Sequence, residues 1–203
     1  LLLCSLSARA DIQVHQLFSK GAVIQRDQLV PVWGWASPHS AIVVKFADQT
    51  QKTQSGSDGK WMVKLQAMPA SKAGRSMTIS DGQETLTVED ILVGEVWLCS
   101  GQSNMDFGMG GMCRKPRDPK YQVISDYMNE QIKDLNDPLL RQVMIKRETS
   151  PLAEKDNTTG GWYIANKRFV RSFSAVGYNF ARELRKELDV PVGLIKCCWG
   201  GTR

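Results

Sequence analysis

Ser103 is the side chain best placed to act as a nucleophile, because it lies on a glycine-containing turn directly after an apolar run. Residues 91–99 form that run, which stops at Ser100-Gly101. A serine just beyond a buried parallel strand presents its hydroxyl at the rim of the sheet, and Gly101 allows the sharp turn that this requires. A serine with this spacing can also cap the start of a helix, so both interpretations stay open on spacing alone.

The Gly200-Gly201 pair follows a second apolar run, residues 192–198, and offers a different kind of group. Glycine leaves its backbone N–H unobstructed, and such N–H groups stabilise the oxyanion that forms when a nucleophile attacks a carbonyl. A Gly-Gly pair by itself is more typical of a plain flexible turn. Combined with Ser103 and its neighbours Gln102 and Asn104, the pair predicts a site for oxyanion or substrate binding.

The two strand ends can meet if the sheet is parallel, and the stretch before the second run favours that arrangement. Apolar residues recur there at helical spacing and are expected to face the core: Phe173, Val176, Phe180, Leu184 and Leu188. A helix followed by a strand is typical of the closing half of a right-handed crossover unit. With a further helix near residues 121–135 and a strand near 139–146, residues 91–203 are predicted to begin an α/β domain with a parallel sheet.

Residues 11–90 have a different organisation, in which short strands are separated by turn residues. Runs rich in β-branched and aromatic residues predict strands at 29–36, 41–47 and 60–65. Asp81-Gly82 predicts a hairpin between residues 77–80 and 85–88. No helical stripe interrupts this pattern, which favours an antiparallel β-sandwich or jelly roll before the α/β part.

The first ten residues are typical of the end of a secretory signal peptide. An apolar run precedes Ala8-Arg9-Ala10, and cleavage is expected after Ala10. A lipid anchor at Cys4 is disfavoured by the bulky Leu3 before it, and a buried first strand is the remaining alternative. A secreted or periplasmic protein is therefore expected. No later run approaches the roughly 20 apolar residues of a membrane span, so no membrane partner is expected.

The composition excludes several classes of protein. The 203 residues are 42% hydrophobic and 23% charged, which is typical of a globular protein rather than a disordered or collagen-like one. The net charge is +5, but the basic clusters lack interleaved aromatics, so no nucleic-acid partner is expected. The cysteines and the two histidines lack metal-ligand spacing, so neither a metal nor another cofactor is expected. The cysteines after residue 10 are predicted to be buried thiols rather than disulfides.

Three segments of the second part resemble the sialate O-acetylesterases, a branch of the SGNH hydrolases. They are GEVWLCSGQSNM at residues 94–105, FSAVGY with AREL at 173–184, and PVGLI with WGGT at 191–202. Residues 23–26, 32–36 and 58–61 are similar to the β-domain that precedes the catalytic domain in that family. The resemblance implies a three-layer α/β/α SGNH-hydrolase domain, of which residues 91–203 contain an incomplete first part.

The resemblance also implies a reaction and a role for each candidate residue. The protein is expected to hydrolyse acetyl esters on sugars, with Ser103 as the nucleophile that forms an acetyl-enzyme. The N–H groups of Ser103 and of one glycine, Gly201 rather than Gly200, are expected to hold the oxyanion. Position alone makes Arg203 a candidate for a substrate contact.

The match to this family has one departure. In the family, an asparagine oxyanion donor and an Asp-x-x-His pair follow the Trp-Gly-Gly-Thr turn, whereas this chain ends at Arg203. His15 and His39 belong to the predicted β-domain and are poor substitutes for the missing base. The sequence is therefore expected to be truncated. A serine without a base is a weak nucleophile, so the chain is expected to be nearly inactive alone.

Two other functions stay open. One is an acetylxylan-type esterase of the same superfamily, because the same serine and glycine turn would serve any acetyl ester. The other is a non-catalytic sugar-binding protein in which Trp33, Trp35 and Trp61 stack on sugar rings. Alternation places Trp33 and Trp35 on one face of a strand, and that face is expected to pack in the core.

Overall fold

A computed structural model describes residues 11–149 and 160–201, which form a mixed α/β fold dominated by strands. The predicted mixed α/β class is confirmed. The predicted signal segment at residues 1–10, which includes Cys4, lies outside the described residues, and so does Arg203. None of the helices in the described segments combines the length and the apolar character that a membrane span needs.

The strands and helices follow one another along the chain with short connections. The strands are β1 (Gln13–Val14), β2 (Val23–Gln25), β3 (Val30–Trp35), β4 (Ala41–Phe46), β5 (Gln49–Gln54), β6 (Lys60–Leu65), β7 (Ser71–Ser80), β8 (Thr85–Gly101), β9 (Asn136–Met144), β10 (Trp162–Asn166) and β11 (Val192–Cys198). The α-helices are α1 (Ser103–Asp106), α2 (Met109–Met112), α3 (Gln122–Ile132) and α4 (Ala175–Leu188). Short 3-10 turns cover Gln16–Phe18, Pro119–Tyr121 and Val170–Ser172.

The strands form two sheets. The smaller sheet has the order β1-β3-β6, and all of its pairs are antiparallel. The larger sheet has the order β10-β9-β11-β8-β7-β4-β5, with β2 also pairing to β8. Its β11 strand is parallel to both β8 and β9, as the crossover pattern predicted, whereas β8-β7-β4-β5 is antiparallel.

The long strand β8 connects the strand-rich N-terminal half of the chain to the parallel part. Its residues pair first with β7, then with β2 at Leu92–Gly94, and finally with β11 at residues 95–101. The strands predicted at 85–88 and 91–99 are thus one strand of 17 residues. The boundary predicted at residue 90 falls inside β8 rather than in a linker.

Two clusters of buried side chains form the core. The first fills the space between the smaller sheet and the antiparallel half of the larger sheet, with Val32 and Trp61 on one side and Ile42 and Met77 on the other. The second lies between helices α2 to α4 and one face of the parallel strands, and it includes Tyr178. The helices therefore cover one face of the part of the sheet that carries the candidate site.

Helix α4 buries a different face from the one that its apolar spacing predicted. Phe173 is fully buried just before the helix, but Val176 is 51% exposed and Phe180 is 44% exposed. The face that packs on the sheet instead carries small residues and one tyrosine: Ala175, Gly177, Tyr178 and Ala181. A side-chain carbon at Gly177 would lie 2.7 Å from the Cys99 Sγ atom, so small residues are needed for this close approach.

The C-terminal half of β8 is also less buried than its apolar sequence predicted. Trp97 is 43% exposed and Leu98 is 64% exposed, and among the described residues β11 is the strand that pairs with residues 95–101. The Trp97 ring contacts the exposed Phe180 ring edge-on, with 4.9 Å between centroids. An apolar run predicts a strand, but its burial depends on whether a neighbour covers both faces and both edges.

Strand β5 was not predicted, because its sequence QTQKTQ contains no apolar residue. It pairs with β4 at the end of the larger sheet, where alternate side chains are exposed. Edge strands are often polar, which protects them from pairing with other chains.

Gly94→Ala is expected to lower the free energy of unfolding by at least about 2 kcal/mol, because overpacking against backbone cannot be relieved by a rotamer change. The added carbon would lie 2.0 Å from the Pro191 carbonyl oxygen, where the chain enters β11. Urea denaturation of the two proteins measures the difference.

The matched control is Gly161→Ala, since a carbon added there meets no atom within 4 Å. That variant should stay within about 0.5 kcal/mol of the wild type. Equal denaturation midpoints for the two variants would show that the close approach of Gly94 to Pro191 tolerates a side-chain carbon.

Candidate active site

Ser103 is the first residue of α1 and is separated from the carboxyl end of β8 by one residue, Gln102. The residue at the helix cap is Gln102, and its side chain makes no capping hydrogen bond. The serine is therefore not a helix cap, which was the structural alternative for this residue. Gly101 has a φ of +143°, so the turn before the serine uses a backbone conformation that favours glycine.

The ends of β8 and β11 lie side by side. Gly101 is the register partner of Cys198, and the Trp199 N–H donates to the Gly101 carbonyl oxygen at 3.2 Å. A side-chain carbon at Gly200 would lie 3.6 Å from both Cα and Oγ of Ser103. The structure therefore places the predicted nucleophile beside the first residue of the predicted glycine turn.

The other predicted site residues surround this contact. Gln102 and Asn104 are exposed on either side of Ser103, which is itself exposed. Gly201 is exposed and has a φ of +82°, and its N–H has no hydrogen-bond partner within residues 11–149 and 160–201. The Gly200 N–H, in contrast, donates to Oδ2 of Asp106 at 3.2 Å. Of the two glycines, Gly201 thus offers the available donor.

The sequence did not point to the charged cluster that lies under this turn. Asp106 ends α1, and its carboxylate forms ion pairs with Arg147 and with Lys196, whose Nζ lies 3.7 Å from Oδ1. Lys196 is only 5% exposed, and its Nζ also donates to the carbonyl oxygens of Asp106 (3.1 Å) and Ser172 (3.3 Å). One signal could have revealed the cluster. Lys196 is the charged residue of an otherwise apolar strand, and a buried ammonium needs a carboxylate partner.

The environment of Asp106 favours its ionised form. Burial raises the pKa of this carboxyl group, but the Gly200 N–H and the charges of Arg147 and Lys196 outweigh burial and lower it overall. The carboxylate is therefore charged at neutral pH. It lines an open pocket of about 590 Å³ next to the strand ends, together with Arg147, Lys196 and Ser172.

Three buried cysteines are poor candidates for a competing nucleophile. All four in the described residues are free, and Cys99, Cys113 and Cys198 are buried, as predicted, whereas Cys197 is exposed. Burial raises the pKa of Cys99, Cys113 and Cys198, which keeps these thiols protonated. The Cys198 thiol also contacts Oδ1 of Asp106 at 3.7 Å.

Neither histidine belongs to this end of the sheet. The His15 ring stacks near Trp33 and Trp35, at 4.9 and 6.1 Å between centroids, and its Nδ1 accepts from the Leu17 N–H. His39 lies in the turn between β3 and β4. Within the described parts of the chain, no group of histidine, cysteine and carboxylate side chains has the arrangement of a metal site.

Comparison with known protein families gives this geometry a context. The family model "carbohydrate esterase, sialic acid-specific acetylesterase" matches residues 93–203, which include both strand ends. The chain belongs to this family. The predicted resemblance is therefore confirmed.

Curated relatives and one solved structure agree with membership of the acetylesterase family. The human sialate O-acetylesterase is 30% identical over 189 residues, and the mouse enzyme is 30% identical over 195 residues. Each alignment covers 84% of this chain, but only 34% of the human and 32% of the mouse protein. The crystal structure of a carbohydrate acetylesterase from Xanthomonas citri matches with a TM-score of 0.83 and 34% identity, over 95% of this chain and 41% of that one. The chain thus spans about a third of the length of these curated relatives.

Asp106→Asn is expected to lower the melting temperature near neutral pH and to lower it less in acid. The pKa of Asp106 in the folded protein lies below its ordinary value of 3.8. Its charge therefore stabilises the fold above the unfolded-state pKa, and this contribution is lost as the pH falls through the folded-state pKa. Thermal denaturation of both proteins at about pH 7 and about pH 2.5 measures the effect.

Glu183→Gln is the matched control for this pH dependence. Hydrogen bonds from Lys186 and Arg182 lower the pKa of Glu183 as well, but its side chain is 55% exposed and is screened by water. Its melting-temperature difference should be smaller than that of Asp106→Asn and should change less with pH. If the Asp106→Asn difference is the same at both pH values, the carboxylate is not held in its charged form.

Proposed function

We propose that this chain supplies the nucleophile and part of the oxyanion site of a sialate O-acetylesterase. The observation that supports the proposal most directly is the proximity of Ser103 to the Gly200-Gly201 turn at the ends of two paired parallel strands. Ligands of open parallel sheets bind at this edge. The family assignment and the relatives' printed names support acetylated sialic acids as the substrates.

In the proposed mechanism, Oγ of Ser103 attacks the carbonyl carbon of an acetyl ester on a sugar. The carbonyl oxygen becomes an oxyanion, to which the N–H groups of Ser103 and Gly201 donate hydrogen bonds. The intermediate then collapses and its bond to the sugar oxygen breaks; this oxygen takes up the proton that the base removed from Ser103 and leaves as the sugar hydroxyl, while the acetyl group stays on Ser103. Water hydrolyses this acetyl-enzyme to acetate and restores the serine.

The mechanism needs a base that takes the Ser103 proton. His15 packs among the tryptophans of the smaller sheet, and His39 lies in the turn before β4, so neither is a candidate. We infer that an Asp-His pair and an asparagine oxyanion donor come from other parts of the whole protein. On this proposal, the chain by itself hydrolyses acetyl esters very slowly, because losing a triad member costs orders of magnitude in rate.

The same reasoning supports the finer description of the fold. We propose that residues 11–90 form a β-sandwich or jelly roll, and that residues 91–203 form the first part of a three-layer SGNH-hydrolase domain. The helices on one face of β9, β11 and β8 support the layered arrangement. Within the described residues Trp97 and Leu98 of β8 are exposed, which supports further coverage of this strand in the whole protein. The residues before Asp11 favour a secreted or periplasmic protein.

The tryptophan pattern does not favour a purely sugar-binding protein. Trp61 is 2% exposed and packs in the core below Gly34, so it cannot stack on a sugar. Trp33 and Trp35 share the opposite face of their sheet and are half-buried, where Trp33 contacts the Phe18 ring edge-on. Trp33 also packs against the first core cluster, but the buried face of β3 is the one with Val30 and Val32, so the core position predicted for the tryptophan face is met only in part.

Ser103→Ala is expected to abolish acetyl-ester hydrolysis by the protein expressed from its complete reading frame. Loss of the nucleophile should lower kcat by roughly 10⁴-fold or more. Hydrolysis of a chromogenic acetyl ester measures the rate. Ser100→Ala is the matched control, because Ser100 is an exposed residue near the carboxyl end of β8. This substitution should leave kcat unchanged. Undiminished turnover in Ser103→Ala would remove Ser103 as the nucleophile.

The sialate and plant-polysaccharide alternatives differ in substrate preference. We expect kcat/KM for O-acetylated sialic acid to exceed that for acetylated xylo-oligosaccharides by at least about tenfold, which is about 1.4 kcal/mol of transition-state discrimination. Release of acetate from the two substrates under the same conditions measures the ratio. A ratio of one or below would favour the acetylxylan-type enzyme.

A further inference from the structure

The glycine turn beside Ser103 needs an external constraint. Two consecutive glycines populate many backbone conformations, so Gly200-Gly201 does not fix its own geometry. An oxyanion donor is effective only if it already points at the developing charge before the reaction begins. Among the described residues, the side chain that hydrogen-bonds this turn is Asp106, which accepts the Gly200 N–H at 3.2 Å.

Asp106 is also fixed relative to the nucleophile. It lies one helical turn after Ser103 in α1, and its N–H donates to the Gln102 carbonyl oxygen at 2.8 Å. A movement of Asp106 would therefore move the helix that carries Ser103. The single carboxylate connects the nucleophile's helix to the turn that follows β11.

Two cations fix the orientation of this carboxylate. The Lys196 ammonium, buried in β11, bonds the Asp106 carbonyl oxygen and lies 3.7 Å from Oδ1. The Arg147 guanidinium bonds Oδ1 and also donates to the Cys198 carbonyl oxygen at 3.3 Å. Oδ2 is left to accept the Gly200 N–H, and a charged acceptor makes this hydrogen bond stronger than a neutral one would.

We propose that Asp106 is a positioning residue that holds the Gly200-Gly201 turn, and with it the Gly201 N–H, in place beside Ser103. The inference rests on the proposed function, because it concerns the oxyanion site of the same reaction. Asp106 does not touch the substrate's acetyl group in this role. It acts through the Gly200 N–H, so its loss should affect the transition state more than substrate binding.

The test compares Asp106→Asn with Asp106→Leu in the protein expressed from its complete reading frame. The two replacements have similar size and both remove the charge, but only asparagine can accept the Gly200 N–H. We expect kcat to fall less than about tenfold in Asp106→Asn and about 10²-fold or more in Asp106→Leu, the range seen when an oxyanion donor is lost. KM should stay within about threefold of wild type in both variants, because uniform substrate binding is unchanged.

Both replacements leave Lys196 without its charge partner. Asp106→Asn and Asp106→Leu are therefore each made in a Lys196→Met background as well. In the Lys196→Met background the unpaired buried ammonium is absent, so it cannot account for a difference in kcat between the two Asp106 variants. Asp137→Asn is the matched control, since Asp137 is a partly buried aspartate that pairs with Arg185 away from Ser103. Its kcat should equal that of the wild type.

Three results would overturn the proposal for Asp106. They are equal losses of kcat in the asparagine and leucine variants, an unchanged kcat in a folded Asp106→Leu protein, and an effect confined to KM. Failure of the proposed function gives a different pattern, in which Ser103→Ala retains activity. If Ser103→Ala is inactive and Asp106→Leu is fully active, only the positioning role is wrong.

Discussion

The parallel pairing of β8 with β11 is the contact on which the candidate site depends. Because Gly101 lies opposite Cys198, the chain leaves both strands at the same level of the sheet. Ser103 and Gly200 then meet at that edge, although they are far apart in sequence. A shift of this register by one residue would turn Lys196 to the other face of the sheet and break its bonds to Asp106. The register therefore determines both the packing and the site.

The charged cluster under the site links stability to function. Burying the Lys196 ammonium has a large desolvation cost, which its two carbonyl partners and the Asp106 carboxylate offset. Buried ion pairs add little net stability compared with apolar packing, and in some proteins they favour one arrangement over others. Here the arrangement that satisfies Lys196 also bonds the Gly200 N–H. If Asp106 positions the Gly200-Gly201 turn as proposed, the buried charge of Lys196 in β11 serves to maintain the geometry of that turn.

The strand-rich half of the chain contributes to the site through β8. Asp90 has a φ of +59° in the middle of this strand, and the nearly buried Arg141 of β9 bonds its carbonyl oxygen at 2.8 Å and its carboxylate at 3.1 Å. Asp90 lies where the register with β7 shifts, between Val88 and Ile91, shortly before β8 pairs in parallel with β2. Trp162 adds a second link, since its Nε1 donates to the Leu17 carbonyl oxygen. The parallel strands are thus anchored to the preceding sheet rather than tethered by a flexible linker.

The sequence by itself determined the elements whose patterns are local. The predicted strands at residues 60–65 and 192–198 are β6 and β11, and the serine lies at a strand end as expected. Which face of an element is buried was decided by tertiary structure. Val176 and Trp97 are apolar yet exposed, because burial depends on neighbours that periodicity does not specify. The hydrogen bond from Gly200 to Asp106 joins residues 94 positions apart, and only the pairing of β8 with β11 brings those two groups together.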